Sequence, residues 1–148
     1  MKIADFLAPA NALIGVRATD KRRLLLELSQ RAATSLGLTT ESIAQALLTR
    51  ENLGSTGLGG GVAIPHARLT ELKGPHGIVA HLRKSIDFEA IDGQPVDLVF
   101  LLLLPTEKAG EQLNALAGIA RKLREPQTLL RLRRAGTVDE LYLAMTAD

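Results

Sequence analysis

The 148-residue chain predicts an α/β fold: a single layered sandwich in which a mixed sheet of about four to five strands is flanked by about five helices. Three observations carry this expectation. A continuous apolar run at 96–104 has the length of a strand, and its composition suits a central strand covered on both faces. Five other stretches place apolar residues at helical spacing, most of them opened by a capping residue or closed by a glycine. A glycine-rich segment at 50–61 separates two of these helices from a short apolar segment that ends in Pro65-His66.

The elements follow in order. Residues 3–7 make a short helical start and 13–16 a strand. Thr19 or Asp20 caps a helix to about residue 36, with Gly37 as its stop and Leu25, Leu28, Ala32 and Leu36 on one face. Thr39 or Thr40 caps a second helix to about residue 50, with Ile43, Ala46 and Leu47 inward. Strands follow at 62–64, 77–82 and 96–104. A long amphipathic helix spans about 107–124, with Leu113, Leu116, Ile119, Ala120 and Leu123 inward. Pro126 opens a short helix, Gly136 stops it, and Thr137 with Glu140 forms a capping-box pattern for the last helix.

Composition narrows the function classes. With 46% hydrophobic residues the chain can bury a real core as one domain over 1–148. Eighteen basic against sixteen acidic residues is too balanced for a nucleic-acid footprint, and three Phe, one Tyr and no Trp leave little for base stacking. Without cysteine there is no disulfide, thiolate nucleophile or Cys-ligated zinc. The apolar run at 98–104 is far shorter than the ~20 residues a membrane helix needs, and Asp5 and Pro9 interrupt the N-terminal apolar patch. The expectation is a soluble cytoplasmic protein with no membrane insertion and no nucleic-acid partner.

The stretch 50–69 holds the chemistry. Gly54, Gly57, Gly59, Gly60 and Gly61 lie in a polar loop, where glycine lets successive backbone N–H groups point into one concavity that attracts phosphate. Ser55 and Thr56 add hydroxyl donors. Pro65 fixes its own φ and favours an extended Ile64, so His66 leaves a rigid strand end. A lone histidine at such an end is usually structural; the nest and the proline brace favour a nucleophile, since neutral imidazole keeps a free lone pair near pH 7. Arg50, at the end of the second helix, is either a partner for the helix dipole or a guanidinium for phosphoryl charge. Arg68 either neutralises phosphate, docks an acidic partner, or is solvated. His76 and His81 match no metal spacing, and the basic residues of 121–134 read as a solvated helix face. The loop lacks the G-K-S/T ending of a Walker A and fails G-x-G-x-x-G at Val62 and Ile64, so no ATP, NAD or other cofactor has motif support.

Arg50-Glu51, Gly54-Ser55-Thr56-Gly57, Gly59 and the run Gly61-Val62-Ala63-Ile64-Pro65-His66-Ala67-Arg68 resemble the active-site segment of the fructose/mannitol-type IIA domains of the bacterial phosphoenolpyruvate-dependent phosphotransferase system. The nitrogen-regulatory branch is the nearest match. Phe88, Ala90-Ile91-Asp92 and Pro95-Val96-Asp97-Leu98 resemble a second segment of the same family, and the likeness extends over nearly the whole chain. The resemblance implies a layered α/β sandwich and a phosphocarrier. His66 would accept a phosphoryl group on Nε2 from a phosphorylated histidine-carrier protein. Arg50 would stabilise its charge, with Ser55, Thr56, Gly57, Gly59, Gly60 and Gly61 binding phosphate and Gln112 and Arg68 as further contacts. Regulated partners such as transporters or sensor kinases would read the phosphorylation state. Two alternatives stand beside it: a IIA component feeding a sugar-specific IIB protein, and an anion-binding module without transfer. Many relatives carry a histidine where Gln112 stands; Gln112 can donate a hydrogen bond but carries no proton at neutral pH.

Overall fold

The computed structural model describes residues 1–107 and 109–147. Its sheet contains β1 (Ala12–Val16), β2 (Gly57–Gly59), β3 (Val62–Ala63), β4 (His66–Leu69), β5 (His76–Ile86) and β6 (Val96–Pro105). The helices are α1 (Lys21–Leu36), α2 (Thr40–Leu53), α3 (Ala109–Lys122), α4 (Pro126–Arg134) and α5 (Val138–Thr146), preceded by short 3₁₀ turns at Ile3–Asp5 and Pro9–Asn11. The mixed α/β sandwich is thus as expected, with β2 and β4 as strands that periodicity alone did not reveal.

Local chemistry explains the helix ends. The Asp20 carboxylate accepts from the Arg23 N–H at 2.8 Å, and the Thr39 hydroxyl accepts from the Ser42 N–H at 3.3 Å. Gly37 closes α1 at φ 70°, a left-handed conformation that costs glycine nothing. Thr137 caps α5 by accepting from the Glu140 N–H.

The strand order is β1-β5-β6-β3-β2, with β4 also on β6. β1 runs parallel to β5, β5 antiparallel to β6, and β3 and β4 both parallel to β6. β6 is the centre, and its alternation sorts the core. Val99, Leu101 and Leu103 face α1 and α2, packing with Leu24, Leu28, Ile43 and Leu47. Leu98, Phe100, Leu102 and Leu104 face the other helices, packing with Ile119, Leu132, Leu141 and Met145. Leu101 is fully buried, and truncating such a residue to Ala costs about 2–5 kcal/mol.

One helix is rotated from its expected phase. The buried stripe of α3 is Gln112, Ala115 and Ile119, continued by Leu123 just past its end, while Leu113 is 63% exposed. The expected inward position of Leu113 is therefore corrected. The 112–115–119–123 spacing is as good a helical repeat as 113–116–120–123, and a polar residue occupies the first position of the stripe that packs on the sheet.

Candidate functional site

β3 and β4 act as one strand alongside β6, interrupted at Ile64-Pro65. Val62 and Ala63 pair with Leu98 and Val99; His66 to Leu69 pair with Leu102 to Pro105. Pro65 has no N–H to give, but its carbonyl accepts from the Leu102 N–H at 2.9 Å and carries the ladder past the break. His66 thus begins a strand of its own and is held by the sheet on both sides of the proline. Since Ala67 and Leu69 belong to the core layer under α1 and α2, His66 and Arg68 project from the opposite side.

The imidazole is fixed. His66 Nδ1 lies 2.8 Å from the Ile64 carbonyl oxygen. A carbonyl only accepts, so Nδ1 carries the hydrogen and Nε2 keeps its lone pair in the neutral ring. Burial holds the pKa of His66 below the ordinary 6.5. The Ile64 bond opposes this, the positive charges of Arg50 and Arg68 reinforce it, and Glu51 works against them. The ring is therefore neutral at pH 7, with Nε2 as its nucleophilic atom.

His66 opens into a cleft of about 570 Å³ lined by Thr49, Arg50 and Leu53 of α2, Ala67, Arg68 and Leu104 of the sheet, and Gln112, Leu113 and Leu116 of α3. The Arg50 guanidinium spends one N–H on the Gly54 carbonyl at 2.9 Å. Neither Arg50 nor Arg68 forms an ion pair among the described residues. Two uncompensated cations beside a neutral imidazole suit a doubly charged phosphoryl group. No group of three or more His, Cys, Asp or Glu able to hold a metal ion occurs among the described residues.

Four of the residues singled out from sequence therefore meet in one place: Arg50, His66, Arg68 and Gln112. Gln112 arrives with its donors engaged, because its side-chain NH₂ donates to the carbonyls of Pro105 and Glu107 and the buried Oε1 has no partner. With its amide hydrogens spent and its oxygen buried, Gln112 presents no free donor to the cleft.

Ser55 and Thr56 stand beside the proline break. The Thr56 carbonyl accepts from the Ile64 N–H at 3.1 Å, and Gly57 pairs with Ala63. Their hydroxyls point elsewhere: Ser55 donates to the Phe88 carbonyl at 2.7 Å, and Thr56 donates to the Glu51 carboxylate. Gly57 is pressed against Ala90, where an added Cβ would come within 2.7 Å of the alanine Cβ.

Gly59, Gly60 and Gly61 lie outside the cleft. They form the tight β2–β3 turn, with φ of 96°, 66° and 82°. The Gly60 N–H donates to Asp92 at 2.9 Å, its carbonyl accepts from Arg133 at 2.7 Å, and the Gly61 carbonyl accepts from the N–H groups of Asp97 and Leu98. Arg133 completes the turn by a two-pronged pairing with Asp97. From Gly61 to His66 is about 15 Å of extended chain.

Sequence reasoning missed a network behind the histidine. Glu51 is 6% exposed. Its carboxylate meets Lys21 Nζ at 2.8 Å and accepts from both the N–H and the hydroxyl of Thr56. Lys21 also lies over the Phe88 ring, 4.8 Å from its centroid. The signal for Glu51 was its place next to Arg50. For Lys21 and Arg133 the sequence carries none, since each reads as one more basic residue on a helix.

This fold and this half-buried, tautomer-fixed histidine beside two arginines define a class before any comparison is made: a mixed α/β sandwich with a single histidine-centred, anion-suited cleft. Residues 5–147 match the family described as phosphoenolpyruvate-dependent sugar phosphotransferase system, EIIA 2, and the chain belongs to that family. It is 43% identical over 142 residues to a nitrogen regulatory protein of Bradyrhizobium diazoefficiens, covering 96% of this chain and 93% of that one. A nitrogen regulatory protein of Pseudomonas aeruginosa is 39% identical over 143 residues, with the same coverage. Among solved structures, the nitrogen regulatory protein IIA-Ntr of Neisseria meningitidis superposes with a TM-score of 0.93 at 33% identity, covering 97% of this chain and 99% of that one. No described helix is long and apolar enough to cross a membrane.

Proposed function

We propose that the protein is a phosphocarrier of the nitrogen-regulatory type. It takes a phosphoryl group on His66 Nε2 from a phosphorylated histidine-carrier protein, ultimately from phosphoenolpyruvate, and its phosphorylation state governs its binding to regulated proteins. The observation that carries this reading is the 2.8 Å Nδ1–Ile64 contact, which leaves Nε2 unprotonated in a cleft with two arginines that form no ion pair among the described residues. In the transfer, the Nε2 lone pair forms a new N–P bond as the donor's N–P bond breaks. The released electron pair returns to the donor imidazole, and Nδ1 keeps its proton throughout. Arg50 and Arg68 stabilise charge on the equatorial oxygens, and the chemistry asks for little beyond positioning and cations.

The rim of the cleft supports a protein donor. Leu53 on α2 is 82% exposed and Leu113 on α3 is 63% exposed, and both line the cleft that holds the arginines. Exposed apolar residues around a charged centre suit a contact face between proteins.

The test is intact mass after incubation with phosphoenolpyruvate, the first enzyme of the system and its histidine-carrier protein. Wild type gains one acid-labile phosphoryl group and His66→Ala gains none. Labelling of the variant, or none of wild type beside a working IIA control, overturns the reading.

A further inference from the structure

A second concavity lies apart from the His66 cleft and is larger than it. It is an open groove of about 820 Å³ near the opposite end of the sheet, where Arg17 follows β1, Arg23 and Leu26 lie on α1, and Arg83 and Lys84 lie on β5. Glu27 is its one acidic lining residue, and Glu27 sits 3.9 Å from Arg31 on its own helix. Arg23 is 3.6 Å from Asp20. Arg17, Arg83 and Lys84 are exposed and form no ion pair among the described residues. In a chain whose formal net charge is only +2, this is a local concentration of positive charge in which Arg17, Arg83 and Lys84 have no ion-pair partner among the described residues.

Position separates the groove from the phosphoryl chemistry. On β5, Gly77 lies level with His66, since both pair with Leu102. Arg83 is six residues further along that strand, about 20 Å away, and two strands across.

We propose that this groove docks an acidic segment of a partner protein. Exposed cations bind single anions weakly, so affinity here requires several carboxylates on one chain, spread to meet cations from three elements. Leu26, 38% exposed on the groove wall, receives an apolar side chain between them. No aromatic residue lines the groove, which removes the stacking that a single-stranded nucleic acid uses. A partner held here leaves the His66 face open to the phosphocarrier, so docking and phosphoryl exchange proceed together. The groove shares no lining residue with the His66 cleft, so the proposal does not depend on His66 being phosphorylated.

The test is fluorescence anisotropy of a labelled peptide of about 12 residues, glutamates interspersed with leucines, titrated with the full chain at about 50 mM salt. The expected result is saturable binding that weakens with salt and falls about tenfold or more in R83E/K84E. That variant keeps its thermal midpoint, its phosphorylation on His66 is unchanged, and Arg50→Ala binds the peptide like wild type. No binding, full affinity in R83E/K84E, or loss of affinity in Arg50→Ala overturns the proposal. So does equal or tighter binding of a single-stranded oligonucleotide of matched charge.

Discussion

The two ends of the β3–β4 strand are made of similar residues and do opposite things. At the Gly60–Gly61 end the charged groups are paired: Asp92 accepts from the Gly60 N–H, and Arg133 binds both Asp97 and the Gly60 carbonyl. At the His66 end the polar groups are held but not satisfied. Nδ1 is tied to Ile64 while Nε2 is free, Arg50 spends one N–H on Gly54, and Arg68 has no ion-pair partner among the described residues. Both ends carry arginine and polar backbone, so composition does not separate them. The difference is unspent hydrogen-bonding capacity fixed in place, which is what a preorganised binding site requires.

Substitutions at the two ends should therefore separate chemistry from stability. The largest effect belongs to His66→Asn, which removes the proposed phosphoryl acceptor and should abolish labelling by mass with the fold intact. Arg133→Ala, at the other end, should label at the wild-type rate while its thermal midpoint drops. Arg50→Ala should slow transfer about 100-fold, in line with the loss of one preorganised donor to a charged transition state, and Arg50→Lys should recover only part of that because it lacks the planar fork. Rapid-quench transfer assays distinguish these outcomes; an Arg133 variant slowed as much as Arg50→Ala would erase the contrast between the ends.

Behind the histidine, Glu51→Ala should cost about 2–3 kcal/mol in urea unfolding, because it leaves two buried Thr56 donors unpaired and takes from the Lys21 ammonium its nearest carboxylate, leaving it Glu89 at 3.6 Å and the Phe88 carbonyl. Gly61→Ala should cost less, about 1–2 kcal/mol. Its φ is 82°, and the new methyl would sit 2.6 Å from Arg133 Nη2 and 3.0 Å from Asp97 Oδ1, so that pair must shift to admit it. Transfer by refolded Gly61→Ala should match wild type, since the turn lies outside the cleft.

The division between these ends is also the boundary of what the sequence made legible. Helix starts were readable because Asp20, Thr39 and Thr137 cap through bonds within three residues. The central strand was readable because 96–104 is apolar without a break. That His66 and Arg50 share one cleft was readable because the motif sets them in one segment. The glycines misled by nearness in sequence. In an extended strand a few residues are a long distance, and Gly59 to Gly61 serve a hairpin turn and not the cleft. β2 and β4 were hidden because each is two to four residues of mixed composition, made strands only by β3 and β6 beside them. The face of α3 was ambiguous between two equal repeats, and packing on the sheet chose the one that buries Gln112.

The smallest expected effect is the most specific to the His66 end. Burial, then Arg50 and Arg68, favour the neutral ring, against the Ile64 bond and Glu51. Protonation removes the Nε2 lone pair, so the transfer rate should be flat near pH 7 and fall only at a pH below the ordinary histidine value of 6.5. Arg50→Ala removes one of the influences that lower the pKa, so its remaining activity should fall off at a higher pH than wild type. Stability follows the same sign. The unfolded chain takes up a proton as pH drops through about 6.5, before folded His66 does. The histidine therefore contributes stability above that value, and it is lost as pH falls toward the lower folded pKa. His76, also held down by burial, adds to the same loss, so His66→Asn should flatten the decline only in part. A rate profile whose acid limb does not move in Arg50→Ala would mean that the guanidinium acts on the phosphoryl group without acting on the ring.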